Sequence, residues 1–291
     1  CTCKGCRVSE TAIFPKLCGI HLPICHQCDR FKTDDGMCNE YGTSYAVPEI
    51  CGTDRDDYCG CSGCVYLYPV YGIYLWRKEI NKIINHTKPV LYVPLAMDET
   101  KHPYNECYKW IKSEISIIDV PNIEMVKTFK ELSEKDYNNY SMIFIGGGNT
   151  FKLLKGLKNS KSFEKLKKYI NSDGIIFGSS AGTVIFSKDI NVIEVMDKND
   201  VMLKDTTGFN ILKDKSIFVH YTNYKTKLSK EENKQLTERY TKFLLNYSKN
   251  NEEIIAIPEE DTIFIDNNNI KVLGNSPYYI FKNGIKEKIL K

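Results

Sequence analysis

From Val65 onward, short apolar runs alternate with stretches of helical spacing, and this alternation limits the fold more than any other feature of the chain. Val65–Tyr71, Pro89–Leu95 and Ile123–Thr128 read as strands, as do Met142–Ile145, Gly174–Phe177, Ser216–His220 and Glu253–Ile257. Leu75–Asn85, Tyr104–Ile115, Thr150–Leu157, Phe163–Ile170 and Lys230–Tyr247 carry helical periodicity. Strands separated by helices predict an α/β fold with a mostly parallel sheet covered by helices on both faces. Thr262–Ile265 with Ile270–Leu273 reads as a hairpin. So does Tyr278–Phe281 with Ile285–Ile289, joined by Asn283-Gly284. These hairpins predict antiparallel additions at one edge of the sheet.

Residues 1–64 are different. Eleven of the twelve cysteines lie there, with six basic and nine acidic side chains and a single asparagine. The remainder is rich in Lys, Asn and Ile and carries the net positive charge. A domain boundary is therefore expected near Cys64–Val65, dividing a cysteine-rich segment, 1–64, from an α/β domain, 65–291. A segment this short needs metals, disulfides or a partner surface to hold its shape. Cys3/Cys6 and Cys25/Cys28 have the two-residue spacing of a tetrahedral zinc site, so zinc is expected there. A disulfide-bonded module and a segment foreign to the rest of the chain are the competing readings. The sequence begins at Cys1, so further residues are expected upstream of it.

The net charge of +3 comes from 40 basic and 37 acidic side chains without a basic stripe, which argues against a nucleic-acid partner. No run approaches the length of a membrane span, and no signal-peptide pattern is present.

Gly178-Ser179-Ser180-Ala181-Gly182 follows the apolar strand GIIF and fits G-x-S-x-G. That pattern describes a sharp strand-to-helix turn that pushes a serine hydroxyl out at the C-terminal edge of a sheet. Gly146-Gly147-Gly148-Asn149 follows the strand MIFI, and glycine N–H groups there can face a developing oxyanion. It is neither a dinucleotide fingerprint nor a P-loop. A serine nucleophile needs a base. Of five histidines, His220 ends the strand SIFV and emerges at the edge expected for Ser180. The carboxylate that would orient it is sought among Asp189, Glu194, Asp197, Asp200, Asp205 and Asp214, and residue types alone do not choose between them.

The ordered set IFIGGGNTFKLL, GIIFGSSAGTVIF and SIFVHYTN closely resembles peptidase family S51, the dipeptidase E group, over about residues 65–291. The resemblance implies a doubly wound α/β sheet of the class I glutamine amidotransferase-like, flavodoxin-like kind. It also implies a cytoplasmic serine peptidase that needs no metal or other cofactor for catalysis and acts on short peptides. Carried over by position, Ser180 is the nucleophile and His220 the general base. The N–H groups of Gly148 and Ala181 form the oxyanion hole. Asn199-Asp200, followed by Gly208-Phe209, resembles the aspartate-bearing segment of the aspartyl dipeptidases, which nominates Asp200 as the triad acid; Glu194 is the rival. The chain departs from the family at Lys230-Glu231-Glu232-Asn233-Lys234-Gln235, where a lysine replaces a substrate-binding arginine, and at Val219, where a proline is usual. A lysine lacks the two-pronged fit of arginine to a carboxylate. The alternatives carried beside this reading are a cyanophycinase-like hydrolase and a non-catalytic member recruited through a metal-bearing N-terminal module.

Overall fold

Two runs of four consecutive buried residues, Val90–Val93 and Met142–Ile145, form the middle of a parallel sheet. Continuous burial is what a strand covered on both faces requires, and it explains why these runs do not alternate with polar residues. The computed structural model describes residues 70–222, 228–250, 252–266 and 269–291. Within them, Gly72–Lys291 make up one unit.

The first sheet has the order β2-β1-β3-β4, with β1 at Val90–Val93, β2 at Ile123–Met125, β3 at Met142–Ile145 and β4 at Ile176–Gly178. Every pairing in it is parallel. The connections carry helices α1 (Val70–Ile83), α2 (Tyr104–Glu114), α3 (Phe129–Glu134), α4 (Thr150–Asn159) and α5 (Ser162–Ile170). Helix α4 shows how the local sequence makes its element. Asn149 caps it by accepting from the Lys152 N–H at 2.8 Å, and Phe151, Leu153, Leu154 and Leu157 bury one face. Phe144 on β3 packs among Trp76, Tyr92 and Phe177, with ring centroids 4.9–6.2 Å apart. Truncation of such a side chain costs about 3–5 kcal/mol.

The second sheet has the order β10-β9-β6-β5. Strands β5 (Lys215–Phe218) and β6 (Glu253–Ala256) run parallel, joined by the long helix α7 (Lys230–Tyr247). A capping box between Ser229 and Glu232 opens α7. Strands β9 (Tyr278–Lys282) and β10 (Ile285–Ile289) add antiparallel at the β6 edge, turning at Asn283-Gly284, both at positive φ. Among the described residues, strands β7 (Thr262–Asp266) and β8 (Asn269–Leu273) pair only with each other.

Three expectations need amending. The strand expected at Val65–Tyr71 lies mostly outside the described residues, and from Val70 the chain is already helical. The single sheet is two four-stranded sheets, because β4 ends after three residues at Gly178 and forms no ladder with β5. Of the two terminal hairpins, only β9–β10 joins a larger sheet. The cysteine-rich segment, with Cys3, Cys6, Cys25 and Cys28, lies outside the described residues.

Candidate active site

Four parallel strands deliver the site, each by the residues just past its C-terminal end, where sites form in open α/β sheets. Strand β4 runs into Ser179 and Ser180, and the short helix α6 (Ala181–Val184) starts at once. Ser180 has φ 53° and ψ −113°, a conformation rarely adopted by a residue with a side chain. Such strain costs on the order of 1–3 kcal/mol and survives only where the surroundings enforce it. Here they do. A Cβ on Gly178 would lie 2.1 Å from the Gly182 carbonyl oxygen, and one on Gly182 would lie 2.2 Å from that of Ile145. The Thr183 hydroxyl donates to the Gly178 carbonyl at 2.6 Å, closing the turn from the helix side. The half-buried Ser180 side chain is thereby aimed off the sheet edge.

His220 follows β5, also at positive φ (58°). The flanking backbone is tied to the next strand, with the Tyr221 N–H donating to the Ile257 carbonyl and the Ile257 N–H to that of Phe218, each at 2.9 Å. The ring therefore stands where β5 leaves the sheet. Its Nε2 is 2.9 Å from Ser180 Oγ, and its Nδ1 meets the Glu259 carboxylate. A carboxylate on Nδ1 assigns the proton to that nitrogen and leaves the Nε2 lone pair facing the serine hydroxyl.

The acid expected at Asp200, or at Glu194, is not the carboxylate that meets His220 in this geometry. Both side chains are exposed, and both ring nitrogens of His220 are already engaged, by Ser180 and Glu259. The cause is strand adjacency. Glu259 sits just past the end of β6, the parallel neighbour of β5, so the two side chains leave the same rim on adjacent strands. Glu259 lies 39 residues beyond His220 in chain order, outside the stretch between Ser180 and His220. The available signal was an acidic run, Glu259-Glu260-Asp261, directly after the strand EIIA.

Gly146–Asn149 follow β3. Gly148 has φ +135°, and a Cβ there would lie 2.3 Å from the Ala96 carbonyl carbon, so only glycine fits. A Cβ on Gly147 would come within 3.1 Å of the Ser180 Cβ, which places this turn against the serine. Among the described residues, neither the Gly148 nor the Ala181 N–H donates to a backbone carbonyl. The turn is braced from outside. The Asn149 N–H donates to the Ala96 carbonyl at 3.0 Å. Asp197 Oδ2 accepts from the Thr150 N–H at 2.8 Å and from its hydroxyl at 2.6 Å. A carboxylate at the first turn of α4 is also favoured by the helix dipole.

A hydroxyl, an imidazole, a carboxylate and free N–H groups together can perform acyl transfer. Among the described residues no group of three or more His, Cys, Asp or Glu side chains could hold a metal. No helix there is long and apolar enough to cross a membrane. Lys230 and Lys234, the lysines of the stretch that departs from the family, are both exposed at the start of α7.

The model of peptidase family S51 matches residues 74–273, more than half of the chain. Peptidase E of Haemophilus influenzae is 26% identical over 204 residues, covering 68% of this chain and 80% of the relative. Peptidase E of a Nostoc species is 25% identical over 216 residues, covering 72% and 82%. The solved structure of a peptidase from an acI-B1 actinobacterium superposes with a TM-score of 0.52 at 17% identity, covering 77% of this chain and 90% of the other. A Listeria monocytogenes protein provisionally named peptidase E gives a TM-score of 0.54 at 23% identity, covering 69% and 93%. At these identities the two structures speak for the mostly parallel α/β fold.

Proposed function

Because the chain belongs to peptidase family S51 and is a serine-type peptidase, we propose that it hydrolyses dipeptides or other short peptides through an acyl-enzyme on Ser180, with His220 as base and Glu259 as the acid of the triad. The observation that carries this reading is the continuous chain of contacts Ser180 Oγ–His220 Nε2 and His220 Nδ1–Glu259.

In the proposed sequence, Ser180 Oγ attacks the scissile carbonyl while His220 Nε2 takes its proton. Glu259 stabilises the imidazolium that forms and keeps the ring in the required tautomer. The Gly148 and Ala181 N–H groups hold the tetrahedral oxyanion, and preorganised donors of this kind contribute several kcal/mol, about 3–4 for one side-chain donor. His220 then protonates the leaving amine, which departs, and water enters to repeat the cycle on the ester. No step calls for a metal.

Residues 65–291 are read as the peptidase domain, of the doubly wound kind, and residues 1–64 as a separate cysteine-rich module. The family reading carries a cytoplasmic enzyme with it. A lysine within 230–235 in place of the family's arginine argues for a side-chain preference broader than aspartate.

Turnover of a dipeptide panel by the 291-residue chain, beside Ser180→Ala, tests this function. Hydrolysis of at least some dipeptides, abolished in the variant, is expected. Equal turnover by the two proteins would remove Ser180 from the mechanism.

A further inference from the structure

Three consecutive carboxylates follow Pro258, and each has a different partner. Glu259 meets His220 Nδ1. Glu260 Oε1 accepts from the Ser276 hydroxyl at 2.5 Å. Asp261 turns inward, and its Oδ2 accepts from Lys291 Nζ at 2.6 Å. The turn that presents Glu259 is thus tied to the β8–β9 connection and to the residues after β10.

Asp261 is the unusual member. Its side chain has no exposed surface, and its Oδ1 is buried without a hydrogen-bond partner among the described residues. A buried ion pair is seldom the most stable choice, since taking the charges out of water costs more than a well-packed apolar pair would. Burial pushes the Asp261 carboxyl up to about 6 even with the Lys291 ammonium beside it to pull it down. The fold also makes room for it. Gly274 stands at φ +132°, and a Cβ there would lie 1.8 Å from Asp261 Oδ1. The end of β8 has thus been cleared so that this carboxylate can enter.

Glu259 needs such an anchor. Its side chain is long and more than half exposed, so where its carboxylate stands depends on the turn that presents it. An unrestrained glutamate spreads over many rotamers, and an orienting group displaced by an ångström loses much of its effect.

We propose that Asp261 is a positioning residue for Glu259: paired with Lys291 and seated in the gap at Gly274, it holds the turn from which Glu259 reaches His220. The proposal rests on the reading of Ser180, His220 and Glu259 as the catalytic set. Asp261 touches none of the reacting atoms.

The test follows the rate at which a fluorophosphonate probe modifies Ser180 in the full chain from pH 5 to 9, for wild type, Asp261→Asn, Lys291→Met and Lys291→Arg. Loss of the carboxylate's placement on Nδ1 should slow the plateau rate about tenfold, the scale of one weakened hydrogen bond to a charged group. Lys291→Arg should restore most of the rate. With a dipeptide, kcat should fall in Asp261→Asn and Lys291→Met while KM holds. If Asp261→Asn does not fold, Lys291→Met decides the matter, because its side chain lies nearer the surface. A wild-type plateau rate and kcat in the folded variants would overturn the proposal while leaving the triad intact. An inert wild type would instead overturn the Ser180 reading, and this inference with it.

Discussion

The sheet β2-β1-β3-β4 brings Ser180 and the glycine turn to the site from two adjacent strands, whereas β10-β9-β6-β5 brings His220 and Glu259. On the first rim the constraint is backbone. Ser180 sits at positive φ, and Gly148, Gly178 and Gly182 leave no room for a Cβ. On the second rim the constraint is side chain. An imidazole and a carboxylate meet there because their strands are parallel neighbours, and the acid is held by pairings further back. The first rim should therefore fail under the addition of one methyl group, and the second under the loss of one charge or proton acceptor.

The largest effect is expected from His220→Ala. Removal of the base should lower kcat by about 10⁴-fold or more, the scale for a triad member. A loss below tenfold would mean that the second rim does not supply the base. On the first rim, Gly148→Ala should reduce kcat by about 10²–10³-fold, because the added Cβ meets the Ala96 carbonyl and displaces an oxyanion donor. Its KM should change little. A rise confined to KM, with kcat unchanged, would make the glycine turn a binding element instead.

Asp261 gives a stability prediction with a definite sign. Its carboxyl is pushed up to about 6 in the fold, above its value in an unfolded chain. Between those values the folded protein binds more protons, so this group makes the fold more stable as pH falls from about 7 towards 4. The groups facing it are the Lys291 ammonium, which opposes the shift, and Glu260, which adds to it. Relative to Asp261→Asn, wild type should gain on the order of 3 kcal/mol across that window, readable by denaturant melts at several pH values. A difference that is flat, or that grows with pH, would contradict the burial argument. The smallest effect is expected at Asp197→Asn. Its two acceptor contacts to Thr150 brace the glycine turn from outside, and weakening them should reduce kcat by about tenfold or less.

The same contrast governs how much could be read from the amino-acid order. The first rim is local. A turn this tight needs small residues at fixed offsets, so Gly178–Gly182 and Gly146–Gly148 stand out directly, and the strands before them are legible as apolar runs. His220 was legible because few histidines exist and one ends a strand. Glu259 was not, because its closeness to His220 arises from strand pairing across a long helical connection. The resemblance to the aspartyl dipeptidases pointed to Asp200, a segment that the structure leaves exposed. Val70 and Tyr71, the end of a run that reads as a strand, differ from that reading for a related reason. A short apolar run has no period of its own, and from Val70 it opens a helix that buries Trp76 and Ile80.

The account turns on which carboxylate serves His220. Steady-state kinetics of Glu259→Gln beside Asp200→Asn and Glu194→Gln decide it most directly. Glutamine keeps the shape of Glu259 and removes its charge, so kcat/KM should fall by about 10²–10⁴-fold, while the other two variants stay within about threefold of wild type. A wild-type rate in Glu259→Gln, with the loss appearing at Asp200→Asn or Glu194→Gln, would contradict the triad proposed here.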